Sequence, residues 1–147
     1  MAVVGGAGVF ASRWFNVFAD VSSERMLSAA DAHQLAQTEE IYLVDIRRPD
    51  EWARTGVAQH SIPLDMRRDD FVNILQNVFK QIGTRPVALI CARGVRSKWM
   101  SAQLQDAGFT EILDVPEGMQ GSGAGSGYLA QGLPKREPTA EELNGQI

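Results

Sequence analysis

Beyond residue 25 the apolar positions fall into two spacings, and each predicts its own kind of element. Ile41-Tyr-Leu-Val44 and Val87-Ala-Leu-Ile90 are unbroken apolar runs, the pattern of strands covered on both faces. Glu111-Ile-Leu-Asp-Val115 predicts a further strand, and Ser61-Ile-Pro63-Leu64 a short extended piece that its proline confines to an edge or an end. Between these runs the apolar residues recur every three or four positions, the helical period. Ser28-Ala-Ala-Asp31 resembles a capping box with Asp in place of Glu, opening a helix that runs to about residue 37. Pro49 and Gly56 bracket a short helix over 50–54. Asp69-Asp70 start the clearest helix, with Phe71, Ile74, Leu75, Val78, Phe79 and Ile82 on one stripe and Gly83 as its stop. Residues 97–107 predict another, placing Met100, Leu104 and Ala107 on one face with Gly108 after them. Strands alternating with helices in this way define an α/β unit with a mostly parallel sheet.

In an open parallel sheet, ligands gather at the carboxyl ends of the strands, where loops lead into helix N-termini. Asp45 and Cys91 each fall at such an end. Cys91 is the chain's one cysteine, and it is followed by Ala92-Arg93-Gly94-Val95-Arg96 and then a helix. A helix N-terminus favours negative charge, so a thiol ahead of it should ionise readily, and Arg93 and Arg96 act in the same sense. A lone cysteine is most often a small buried apolar residue. A core position, however, does not require a loop that collects two arginines.

The termini read differently. Residues 1–11 are apolar or glycine, with a G-x-G-x-x-A string, but the apolar run before it is too short for the central strand of a dinucleotide fold. Phe10, Trp14, Val17 and Phe18 lie at helical spacing, which suits packing on the chain's own domain or a homodimer contact better than a membrane surface, since the stripe carries one basic residue. The segmentation expected is a leader with a short helix over 1–25, one folded domain over 26–134 and a flexible tail over 135–147. The glycine- and serine-rich run at 117–127 has the composition of a linker, although Tyr128 and Leu133 after it suggest a loop that returns over the rim.

Composition narrows the chemistry. With 147 residues and 44% of them hydrophobic, one core of ordinary size is expected. A net charge of −4 supplies no general field for nucleic acid or anionic lipid, so any anion site is local. One cysteine and the two histidines His33 and His60 leave little from which to build a metal site, and neither metal nor cofactor is expected. No stretch is long enough to span a bilayer, and a cytoplasmic location is the default expectation.

Three strings taken together carry a resemblance: Asp45-x-Arg47-x-x-x-Glu51-Trp52, Cys91-x-x-Gly94-x-Arg96-Ser97 and Ala102-x-Leu104-x-x-x-Gly108-Phe109. In order and spacing they resemble the single-domain rhodanese family of sulfurtransferases, over about residues 27–134. The resemblance implies a three-layer domain whose central sheet is flanked by helices. It also implies that Cys91 takes a sulfane sulfur from a small anionic donor such as thiosulfate and passes it, as a persulfide, to cyanide or a thiol. Ala92, Arg93, Gly94, Val95 and Arg96 would then bind the donor, Arg96 foremost. Asp45, Arg47 and Arg54 would support the rim, Asp45 by pairing with an arginine such as Arg54 rather than as a base. Gly56-Val-Ala-Gln-His60-Ser61, Gly118-Met119 and Tyr128 depart from the family's usual residues.

Two other readings remain. The same fold resembles that of cysteine phosphatases and arsenate reductases, which set five residues between cysteine and arginine where this chain has four, Ala92 to Val95. The other is a sulfur-carrying or binding module without turnover.

Overall fold

The computed structural model describes residues 25–82 and 85–146. The expected leader and the Phe10 to Phe18 stripe lie outside the described residues. Among the described residues five helices and six strands follow one another as α1 (Ala29–Gln37), β1 (Tyr42–Asp45), α2 (Pro49–Thr55), β2 (Val57–Ala58), β3 (Ser61–Pro63), α3 (Phe71–Ile82), β4 (Val87–Ile90), α4 (Val95–Asp106), β5 (Ile112–Asp114), β6 (Lys135–Arg136) and α5 (Ala140–Leu143).

Four strands form a wholly parallel sheet in the order β3-β1-β4-β5. All four residues of β1 and of β4 are buried, because helices cover both faces of the sheet and leave no solvated side for polar residues. The two-residue period sorts their side chains. Leu43, Ala88, Ile90 and Leu113 pack with Ala29, Ala32, Leu35 and Ala36 of α1. Tyr42, Val44, Val87, Leu89 and Ile112 pack with Phe71 and Leu75 of α3 and with Met100 and Leu104 of α4. The result is the expected three-layer α/β arrangement, with the proline-containing β3 at an edge.

Local signals hold where a side chain caps an end. Ser28 accepts the Asp31 N–H at 3.1 Å and opens α1. The helix after Cys91 begins at Val95 instead of Ser97, and its buried face is Ser97, Met100, Ser101 and Leu104. Ala107, placed on that face from the sequence, is the exposed C-cap.

Two segments depart from what their composition alone indicates, the first of them returning to the core at Tyr128 as the residues after it suggested. The glycine-rich run is no linker: Met119 N–H donates to Cys91 O and Gln120 N–H to Ala92 O, both at 2.8 Å, and Tyr128 returns the chain to the core with its hydroxyl bonded to Pro134 O. Residues 135–146, expected as a flexible tail, are built into the structure. β6 pairs antiparallel with β2, and Arg136 joins Glu142 of α5 to Ser61 O. Thr139 and Glu142 close a capping box that starts α5, which lies against α2.

Candidate active site

β4, a central strand, delivers Cys91 to the carboxyl end of the sheet. The chain then turns through Ala92, Arg93 and Gly94 into α4. Gly94 is the N-cap of that helix and has no side chain to accept a bond, although the first amides of a helix need an outside acceptor. Cys91 Sγ takes that place: the Ser97 N–H, third in the helix, donates to it at 3.4 Å. The thiol in turn donates to Ser97 Oγ at 3.5 Å, and that hydroxyl donates to Gly94 O at 3.3 Å. A sulfur in the capping position faces the positive end of the helix dipole, which favours negative charge there.

The sulfur sits below the rim and not on it, since Cys91 is only 1% exposed. The sequence reading assigned Ala92 to Arg96 to the donor; the amide bonded to the resting Sγ is that of Ser97. The early start of α4 is the reason, because it makes Ser97 the residue whose N–H points back along the helix. The carbonyl of Ala92 is held by Gln120, Gly94 is buried, and Val95 turns its side chain to solvent. Arg93 and Arg96, paired in the sequence reading, face different cavities.

Arg96 is not an open clamp for an anion. Its two terminal nitrogens donate to the two oxygens of Glu51, at 2.7 and 2.8 Å. That bidentate bond, more than any other contact, holds the Glu51 carboxyl down to about 2 from its ordinary 4.5. Glu51 also accepts the N–H of Arg48 at 3.0 Å, so one carboxylate caps α2 and fixes the arginine of the cysteine loop. A carboxyl whose folded pKa is depressed stabilises the fold above its unfolded value, and the benefit is lost as pH falls toward the folded one. Glu51→Gln should therefore be less stable than wild type at neutral pH by about 1 kcal/mol, after discounting for the exposure of Arg96. The gap should close between pH 4.5 and about 2, as read from urea midpoints.

Asp45 and Arg47 form a buried pair at the end of β1, both side chains 0% exposed. The Arg47 guanidinium donates to both Asp45 oxygens, to Thr55 Oγ1 at 2.8 Å and to Gly56 O at 2.9 Å. Asp45 thus pairs with Arg47 and not with Arg54, which is exposed on α2. The short Asp45-x-Arg47 spacing explains it: the guanidinium folds back over its own strand end. The pair ties β1 to the end of α2, the helix that presents Glu51.

Beside this lies a cavity of about 430 Å³ lined by Arg48, Glu51, Met66, Arg67 and Arg96. The roles of Arg48, Glu51, Arg67 and Ser97 escaped the sequence reading. Glu51 and Ser97 stood inside the motifs, where a partner could have been sought; Arg48 and Arg67 carry no local signal. Among the described residues no group of three or more His, Cys, Asp and Glu could hold a metal ion, and no helix is long and apolar enough to cross a membrane.

A parallel three-layer domain with a cysteine at a strand end, capping the next helix, defines the class. The rhodanese-like domain model matches residues 28–123, and the chain belongs to that family. Solved structures share the fold. A protein of unknown function from Rhodopseudomonas palustris, described as a possible tyrosine phosphatase, is 24% identical with a TM-score of 0.58, over 92% of this chain and 99% of its own. The polysulfide-sulfur transferase homodimer of Wolinella succinogenes is 24% identical with a TM-score of 0.57, over 92% and 96%. Rv0390 of M. tuberculosis is 26% identical with a TM-score of 0.57, over 76% and 96%.

Proposed function

We propose that this protein is a sulfurtransferase that works through a persulfide on Cys91. The observation that carries this reading is the Ser97 N–H bonded to Cys91 Sγ at the start of α4, a donor already aimed at the sulfur that reacts. The thiolate attacks the outer sulfur of thiosulfate. A new S–S bond forms, the bond between the outer sulfur and the sulfonate sulfur breaks, and sulfite leaves with the electron pair. Cyanide or a thiolate then attacks the outer sulfur of the persulfide, the S–S bond breaks with its electrons returning to Cys91, and thiocyanate or a new persulfide departs.

The anionic donor is drawn to the cavity bearing Arg48, Arg67 and Arg96. Arg48 is paired with Asp50 and Glu51 and Arg67 with Asp65, as Arg96 is with Glu51, but Arg48 and Arg67 keep 47% and 60% of their side chains exposed to the donor, and Arg96 shapes the loop. A phosphatase reading fits less well, because four residues separate Cys91 from Arg96 and that arginine is already held by a carboxylate.

Thiosulfate treatment followed by mass spectrometry is the direct test. Wild type should gain about 32 Da and Cys91→Ser should gain nothing, with cyanide restoring the original mass. Absence of the adduct on wild type, or its persistence in the variant, would end the proposal.

A further inference from the structure

A second cavity, of about 920 Å³, lies on the other side of the cysteine loop, between Arg25 and Met26, the turn at Arg93 and Gly94, and the outer face of α4. Its size falls within the range of small-molecule sites. Three independent features of the molecule converge on it. Among the described residues four large apolar side chains are exposed, namely Met26, Val72, Val95 and Trp99, and three of them line this cavity, with Trp99 55% exposed. Among the described residues three arginines form no ion pair, namely Arg25, Arg54 and Arg93, and two of them line it, joined by Lys98. Among the described residues four buried side-chain polar atoms have no hydrogen-bond partner, and two of them belong to residues of its wall, Ser101 Oγ and Asp114 Oδ1, with Asp114 only 6% exposed.

We propose that this cavity binds a small amphipathic anion, an apolar and preferably aromatic body carrying a carboxylate, phosphate or sulfonate. The apolar body covers Trp99, Met26 and Val95, which otherwise keep apolar surface in water. The charged group meets Arg25 and Arg93, which form no ion pair among the described residues, and Lys98, whose charge also acts on the Asp114 carboxyl of the same wall. Ser101 Oγ and Asp114 Oδ1 lie behind the wall, closed to solvent, so a donor on the ligand pairs with them only where the wall shifts, and an unpaired buried acceptor costs about 1–3 kcal/mol. The site adjoins the outer side of the turn after Cys91, but binding there does not require sulfur transfer.

The probe is 8-anilinonaphthalene-1-sulfonate, titrated into the full chain by fluorescence, in wild type and in Cys91→Ser. Both should bind about one equivalent saturably, and more weakly as salt rises. Trp99→Ala and Arg25→Glu should each lower affinity about tenfold or more while leaving the thermal melt near that of wild type, because both side chains contribute to the cavity and not to the core. Equal affinity in wild type and both variants overturns the proposal. Failure of the full chain to bind saturably also overturns it, and is the result expected if residues 1–24 or a second copy of the chain filled the cavity; a dimer that Trp99→Ala dissociates would identify the latter.

Discussion

Arg47→Met should destabilise the protein by about 3–5 kcal/mol, a fall in Tm on the order of 10 °C. Asp45 and Arg47 are both fully buried, and the guanidinium makes three contacts with the carboxylate besides those to Thr55 and Gly56. Removing it leaves a carboxylate in the core with the Arg47 backbone N–H as its remaining partner, and releases the carbonyl of Gly56. The size of the effect comes from that stranded charge more than from the attraction lost. The double variant Asp45→Leu, Arg47→Met should therefore recover most of the stability by urea unfolding. It should not recover sulfur transfer, because α2 would lose its tether and Glu51 its fixed approach to Arg96. Recovery of both would show that the pair serves stability alone, and a single variant within about 1 kcal/mol of wild type would show that it serves neither.

The buried pair illustrates what the sequence makes legible. Asp45 and Arg47 are close along the chain and lie at a strand end that the apolar run already marks, so the residues were identifiable, although Asp45 was assigned the wrong arginine. β4 and the helix after it were legible for the same reason: a strand buried on both faces admits few polar residues, and the chain's one cysteine marks where it stops. Glu51 and Arg96 are separated by 45 positions and meet because β1 and β4 are adjacent and parallel, so that the helices following them begin at the same end of the sheet. No periodicity encodes such a contact. Composition misled at the two segments near the C-terminus, in different ways. Glycine and serine between 117 and 127 resembled a linker, whereas two backbones cross there at hydrogen-bond distance and side chains would hold them apart. Thr139-x-x-Glu142 was a readable capping signal in a polar stretch, outweighed by the charge around it.

Gly94→Ala should lower sulfur transfer about 100-fold, since displacements near 1 Å at a reacting group have effects of that order. Gly94 has φ of 81°, and a Cβ added there would lie 2.3 Å from Pro116 O, with the carbonyl carbon and Cα of Pro116 at 3.1 and 3.2 Å. All three are backbone atoms, so no side chain can swing aside. The loop must move, and Ser97 N–H must move with it relative to Cys91 Sγ. Gly118 interlocks from the facing segment: its φ is 68°, and a Cβ there would come within 2.5 Å of Ala92 O. Gly108→Ala separates this from backbone strain, because Gly108 has φ of 98° with open space around the added carbon. It should cost about 1–2 kcal/mol of stability and leave the transfer rate unchanged. If both alanine variants transferred sulfur at the wild-type rate, the contact of the 116–120 segment with the cysteine loop would have no part in holding the reactive sulfur. If both lost it equally, strain and not close approach would explain Gly94. Loss in Gly94→Ala alone, with both variants folded, is the outcome expected if the loop can be narrow enough for one sulfur only where two backbones meet without side chains between them.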